Sequence, residues 1–170
     1  NIKKLCWTEI VSEKIRNQKW FLQELQKEKE SEILESYLRE IVPGDMTNRE
    51  GHAAKVYFNA VFGMQFSRTL DIPVNAALNY GYGIILSACN REIVSNGYLT
   101  QLGIFHDNMF NPFNLGSDLM EPFRILVDRL VYQMEPEKLE GEEKMQLVDL
   151  LNHEVMIDGK RNYVLNAMKI

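Results

Sequence analysis

The sequence predicts a mostly α-helical domain of about six packed helices with one small β-hairpin near its C-terminus. Three observations carry this. Apolar residues recur at three-to-four spacing through most of the chain up to Leu151. Those stretches are separated by helix-ending signals at Pro43-Gly44, Gly63, Gly97 and Pro136. Further on the pattern changes: Val155-Met156-Ile157, then Asp158-Gly159, then Lys160 to Val164 is a hairpin signal of the Asp-Gly type. The 170 residues, 45% of them apolar, suffice for one domain with a real core. No apolar run reaches the length of about eighteen residues that a membrane-spanning helix needs.

The elements follow in order. Residues 2–29 are expected to form one long helix, with Ile2, Leu5, Cys6, Ile10, Ile15, Leu22 and Leu25 as its apolar positions. Ser31 can cap a second helix that turns Ile33, Leu34, Tyr37, Leu38 and Ile41 inward. A third starts at Thr47, with Glu50 at the spacing of a capping box, and runs to Phe62. Gly51, Ala53 and Ala54 give it a small-residue face that another backbone or a ligand can approach. Phe66 to Ile72 is a connector. Pro73 opens the fourth helix, which carries Leu78, Tyr82, Ile85, Leu86, Cys89 and Ile93. Gly81 and Gly83 weaken it locally and predict close packing there. Residues 104–114 form an irregular, aromatic loop expected to lie against the core. From Leu115 a helix carries Asp118, Glu121, Phe123, Ile125, Leu126, Leu130 and Val131, with Pro122 interrupting it or sitting in its first turn. Leu139 to Leu151 is another helix, with Met145, Leu147, Val148 and Leu151 inward, and Leu165 onward is again helical. Cys6 and Cys89 read as two reduced, buried thiols of a cytoplasmic protein. Asn1 and Ile170 both fall within patterned stretches, so the chain is expected to be a fragment of a longer one.

Net charge is −5, which at face value argues against a nucleic-acid partner. Its distribution weakens that argument, because six of the acids lie in residues 135–149 against two lysines. Residues 46–134 hold six bases and seven acids, and if Glu50, Asp118 and Glu121 are metal ligands, four acids remain against those six bases.

Asp118 and Glu121 are three residues apart, which on a helix puts both carboxylates on one face. Crowded carboxylates raise each other's pKa and stay ionised at neutral pH only beside a cation. Oxygen ligands with one imidazole suit Mn²⁺ or Mg²⁺ better than structural zinc. Glu50 could add a carboxylate and His106 the imidazole. The plain alternatives are a capping-box role for Glu50, an N-cap at Asp118, an exposed Glu121–Arg124 pair, and a His106 bonded to a loop carbonyl. His52 and His153 are weaker candidates, His52 solvated or placed behind the ligands and His153 a surface residue at the hairpin.

Arg49-Glu50-Gly51-His52-Ala53-Ala54-Lys55-Val56-Tyr57-Phe58, Asn79-Tyr80-Gly81-Tyr82, Gly103-Ile104-Phe105-His106 and Asp118-Leu119-Met120-Glu121-Pro122-Phe123-Arg124 together resemble the CRISPR-associated adaptation integrase, in its type II form. The resemblance runs through residues 1–170 in order and covers that family's α-helical catalytic domain, its amino-terminal β domain being absent. It implies that Glu50, His106 and Glu121 are catalytic and hold a divalent ion, Mn²⁺ or Mg²⁺, with Asp118 a less direct participant. Family members often carry Asp where Glu121 stands. It implies insertion of short foreign DNA segments into a repeat array, by attack of a 3′-hydroxyl on a phosphodiester. Its partners would be double-stranded DNA, a second copy of the full-length chain and a small ferredoxin-like subunit, in the bacterial cytoplasm. Basic candidates for DNA contact are Lys55, Arg68, Arg91 and Arg124. Two other functions are weighed beside it: an endonuclease using water on the same ligands, and a helical interaction module with no chemistry.

Overall fold

A computed structural model describes residues 1–157 and 159–169. Among them the elements are α1 (Ile2–Glu24), α2 (Glu28–Glu40), α3 (Arg49–Phe62), α4 (Pro73–Ser95), α5 (Asn114–Leu119), α6 (Arg124–Met134), α7 (Gly141–Asp149), β1 (Glu154–Ile157), β2 (Lys160–Tyr163) and α8 (Val164–Ala167). Single 3-10 turns occupy Glu121–Phe123 and Leu150–Asn152. The mostly helical class and the single hairpin are as expected. The strands pair antiparallel, Glu154 opposite Tyr163 and Ile157 opposite Lys160. Of the expected Asp-Gly turn, Gly159 has φ +74° and Asp158 lies outside the described residues.

Two cores form. Trp7, Val11, Ile15 and Leu22 of α1 pack with Leu34 of α2 and with Ala53 and Tyr57 of α3. Leu78, Tyr82 and Ile85 of α4 pack with Val127 and Val131 of α6, Leu147 of α7 and Val164 of α8. Phe58 and Phe62, stacked with centroids 6.2 Å apart, touch both and join them.

Several expectations are corrected. The first helix stops at Glu24, because Gln26 adopts left-handed φ +58° and the Lys27 N–H reaches back to the Leu22 carbonyl at 2.8 Å. That is a Schellman ending built on Gln instead of Gly, which leaves no signature in the sequence. The buried face of α1 is Trp7, Val11, Ile15, Gln18, Phe21 and Leu22, while Ile2, Leu5 and Cys6 are exposed. Only Cys89 is a buried thiol, and burial pushes its pKa up to about 12. On α7, Met145 and Val148 face out, and Leu147 with the following Leu150 faces in. In the aromatic loop Phe105 and His106 have aromatic partners, while Met109 and Phe110 are exposed. Gly81 does allow close packing, since a Cβ there would overlap Val127, but Gly83 faces open space.

In residues 115–134 the interruption expected at Pro122 is present, and it corrects the shared face expected for Asp118 and Glu121. Pro122 has no N–H and its ring opposes the carbonyl four residues back, so the helix cannot run through it. It breaks into α5, a 3-10 turn and α6. Asp118 and Glu121 therefore do not share one α-helical face, and their carboxylates reach different partners.

Candidate active site

The site lies in the seam between the two cores. Four segments supply it: α1, the first turn of α3, the loop after α4, and the stretch from α5 into α6.

At α3, the expected cap is replaced. Asn48, in left-handed backbone, is the N-cap, and its side chain accepts from the Gly51 N–H. The Asp45 carboxylate accepts from Arg49 N–H at 2.8 Å and Glu50 N–H at 2.9 Å. Gly51 is small because a Cβ would stand 2.7 Å from Asn48 Oδ1. The cap explains that glycine, and helix packing explains Ala53, which is fully buried. Glu50 is thereby released from capping. Its Oε1 instead accepts from Lys14 Nζ at 2.6 Å.

The same ammonium lies 2.5 Å from Glu121 Oε2. Glu121 is buried, and its other oxygen pairs with Arg124 at 2.9 Å. Burial would push its pKa up, but the charges and hydrogen bonds of Lys14 and Arg124 outweigh that and hold it below the usual range. Arg124 in turn stacks over Tyr82, 4.5 Å from the ring centroid.

Asp118 is fully buried and collects the loop after α4. It accepts from Ile104 N–H at 2.5 Å, Phe105 N–H at 3.2 Å and His106 N–H at 3.1 Å, and bonds His106 Nδ1 at 2.7 Å. Burial raises its pKa, but the His106 ring and the three amides together bring it below the ordinary value. That Asp118 contact is also the main cause of the raised pKa of His106. The expected mutual raising of carboxylate pKa values is thus absent at Asp118 and Glu121, since each has its own cation or amides. With Nδ1 held by Asp118, the other ring nitrogen, Nε2, is left as the free lone-pair donor in the neutral tautomer.

Sequence reasoning missed the contributions of α1. Trp7 stacks on Phe105 with centroids 4.3 Å apart and meets the edge of His106 at 5.9 Å. Lys14, two helical turns on, holds Glu50 and Glu121, and Asn17 donates to the Pro122 carbonyl at 3.1 Å. A lysine in the same row as the buried Trp7 was the available signal. Asn114, also buried, donates to the carbonyls of Gln101 and Asn108 and closes the loop from behind.

The donor chemistry of Glu50, Glu121 and His106 suits a hard divalent ion, and two of the three already share one cation, the ammonium of Lys14. Among the described residues no three His, Cys, Asp or Glu side chains stand together as a ready metal cluster. The donors fit a metal, but with Lys14 between them.

The DNA-contact candidates scatter. Arg68 bonds Asn75 and Asn79 and lies over Phe58 and Tyr82. Arg124 is used at Glu121, and Arg91 pairs with Glu92. Lys55 is exposed and makes no ion pair among the described residues. His52 lies beside Tyr37, and His153 beside Asp149 at 3.7 Å. No helix among the described residues is long and apolar enough to cross a membrane.

Comparison with known proteins follows the same segments. The profile described as CRISPR associated protein Cas1 matches residues 5–144. A CRISPR-associated endonuclease Cas1 from Neisseria meningitidis serogroup C is 37% identical over 172 residues, covering 98% of this chain and 57% of that protein. The chain thus spans a little over half of that relative. Among solved structures, a casposase bound to integration product superposes with TM-score 0.80 at 22% identity, over 98% of this chain and 58% of that one. A Cas6-RT-Cas1–Cas2 complex gives TM-score 0.78 at 20% identity, over 98% of this chain and 23% of that one. At those identities the structural likeness is one of fold. The profile, however, runs from α1 into α7 and takes in all four segments of the site, and together with the Neisseria relative it shows that the chain belongs to the CRISPR-associated Cas1 family.

Proposed function

We propose that this chain is the catalytic part of a divalent-metal-dependent DNA integrase of CRISPR adaptation, joining a 3′-hydroxyl of incoming DNA to a phosphodiester of the repeat array. One observation carries the reading. Glu50 and Glu121, 71 positions apart in the sequence, converge on a single cation beside an imidazole whose Nδ1 is locked. A helical interaction module has no use for a buried acid and a half-buried one brought together, since their desolvation is unfavourable unless a cation is kept there.

In the reaction, the 3′ oxygen bonds to phosphorus and the bridging ester oxygen leaves with the electron pair, taking a proton as the displaced 3′-hydroxyl. Phosphodiester bonds are conserved in number. Glu50, Glu121 and His106 would hold the divalent ion, Mn²⁺ or Mg²⁺, which would supply Lewis-acid polarisation of the phosphoryl oxygen. Arg124 fixes one oxygen of Glu121 and leaves the other for ligation. Asp118 fixes the His106 tautomer and ties three loop amides, so that the ring does not swing away. Trp7 and Phe105 brace that loop. The double-stranded DNA substrate, a dimer of the longer chain and a small adaptation subunit enter as partners on the strength of family membership; the solved relatives bear titles naming an integration product and a Cas1–Cas2 assembly.

The second reading, an endonuclease with water as nucleophile, is favoured by the name endonuclease carried by the Neisseria relative. A strand-joining assay separates the two. Oligonucleotides ending in 3′-hydroxyl should be joined to a repeat duplex with Mn²⁺, and 3′-deoxy ends should not. Cleavage without joining would favour the hydrolytic reading. Glu50→Gln should remain folded by circular dichroism yet lose joining by about a hundredfold or more, as removal of one charged ligand predicts. Near-wild-type joining by that folded variant would remove Glu50 from the site.

A further inference from the structure

Lys14 has no place in the chemistry just described, yet its ammonium occupies the position where a cation bridging Glu50 and Glu121 belongs. The contacts are 2.6 and 2.5 Å, and the side chain is only 11% exposed. It is not a surface pair formed by chance.

A second observation lies on the other side of the same side chain. A cavity of about 80 Å³ is lined by Lys14, Gln18, Phe58, Arg68, Tyr82, Arg124 and Asp128. Gln18, one turn after Lys14 on α1, is 3% exposed, and its Oε1 has no hydrogen-bond partner among the described residues. Asp128 is buried in the wall, with the Tyr82 hydroxyl donating to it. The cavity offers a carboxylate and an unpaired carbonyl oxygen to a lysine that lines it, against the opposing charge of the Arg68 and Arg124 guanidinium groups in the same wall.

We propose that Lys14 is the resident counter-cation of the metal site: it holds Glu50 and Glu121 together when no divalent ion is bound, and its ammonium moves into the adjoining cavity, against Gln18 Oε1 and Asp128, when the ion enters. This rests on the metal-dependent reading above. Lys14 then sets metal affinity. Binding of the ion must break two ion pairs, so the site binds it more weakly than its donors alone would, and the cavity oxygens recover part of that loss. The two acids without metal are kept from repelling each other.

Mn²⁺ binding to the 170-residue chain, followed by the electron paramagnetic resonance of free Mn²⁺, tests this. Lys14→Met keeps the length of the side chain and removes its charge, and should bind Mn²⁺ roughly tenfold more tightly, within the usual span of coupling between competing ligands. Gln18→Leu should bind it a few-fold more weakly, because the displaced ammonium loses an acceptor. Unchanged or weaker binding by Lys14→Met overturns the proposal. Glu50→Gln serves as the reference for the underlying reading: loss of Mn²⁺ binding there keeps the metal site, and wild-type binding there removes it whatever Lys14 does. Should Lys14→Met fail to fold, the wild type decides. In ¹⁵N-lysine spectra titrated with Mg²⁺, the Lys14 ammonium signal should shift with the same midpoint as Mg²⁺ binding, and a signal unmoved at saturation overturns the proposal.

Discussion

Asp118 is the residue whose role changes most between sequence and structure. Weighed from the sequence as a less direct participant in metal binding, in the structure it anchors the His106 loop, with no exposed surface. This makes a prediction about charge. His106 titrates above its ordinary 6.5 chiefly because of Asp118, so Asp118→Asn should bring the imidazole back toward that value, measured by NMR of its ring carbons. Because the folded pKa of His106 is raised, protonated His106 stabilises the fold fully below the unfolded value, and that contribution is lost as pH rises through the raised one. The lowered pKa of Asp118 works the other way: its contribution is present above its ordinary 3.8 and is lost as pH falls through the folded value. Unfolding in urea of wild type and His106→Ala should therefore differ more at pH 6 than at pH 9. A gap independent of pH would deny the ion pair. Asp128 gives a third sign. Burial pushes its carboxyl up to about 6, against Tyr82, Tyr57, Arg124 and Lys14, which draw it down. Ionising it costs the fold about 3 kcal/mol. Asp128→Asn should gain on the wild type as pH rises from 4 to 7, by roughly 1–3 kcal/mol in chemical unfolding. An advantage that is flat with pH would place the titration elsewhere.

At the scale of elements, α1 and the break at Pro122 do most to build the site. One row of α1 buries Trp7 and Lys14 and so spans the loop, both acids and, through Asn17, the turn at Pro122. The two glycines of α4 separate packing from propensity. Gly81 faces Val127 and Leu147, with no room for a methyl group, so Gly81→Ala should cost about 1–3 kcal/mol despite the better helix former. Gly83 faces open space, and Gly83→Ala should stabilise by about 0.5–1 kcal/mol. Thermal unfolding of the pair gives the comparison, and equal shifts of the same sign would contradict the packing described for α4 against α6 and α7.

For the whole molecule, the net charge is −5, and two of the basic candidates, Arg68 and Arg124, are engaged inside the fold. The chain alone should bind duplex DNA weakly, and that binding should fall steeply with added salt as phosphate contacts release counterions. Lys55→Ala should weaken it across sequences and reduce the salt slope by about 1, in fluorescence anisotropy at several salt concentrations. Tight binding insensitive to salt would contradict this.

The helical class, the hairpin, the helix starting at Pro73 and the motifs around Glu50, His106 and Glu121 were legible in the sequence, because periodicity, proline and glycine act locally. The resemblance carried the family, which the profile match bears out. What the sequence left open was decided by contacts between distant segments. Asp45 and Asn48 take over the capping that Glu50 was spaced to do, Lys14 reaches Glu50 across 36 positions and Glu121 across 107, and Asp118 turns from its neighbour Glu121 to a loop 12 positions back. Which carboxylate caps, which anchors and which faces a cation depends on where packed helices bring charge, and spacing along one chain carries no record of that.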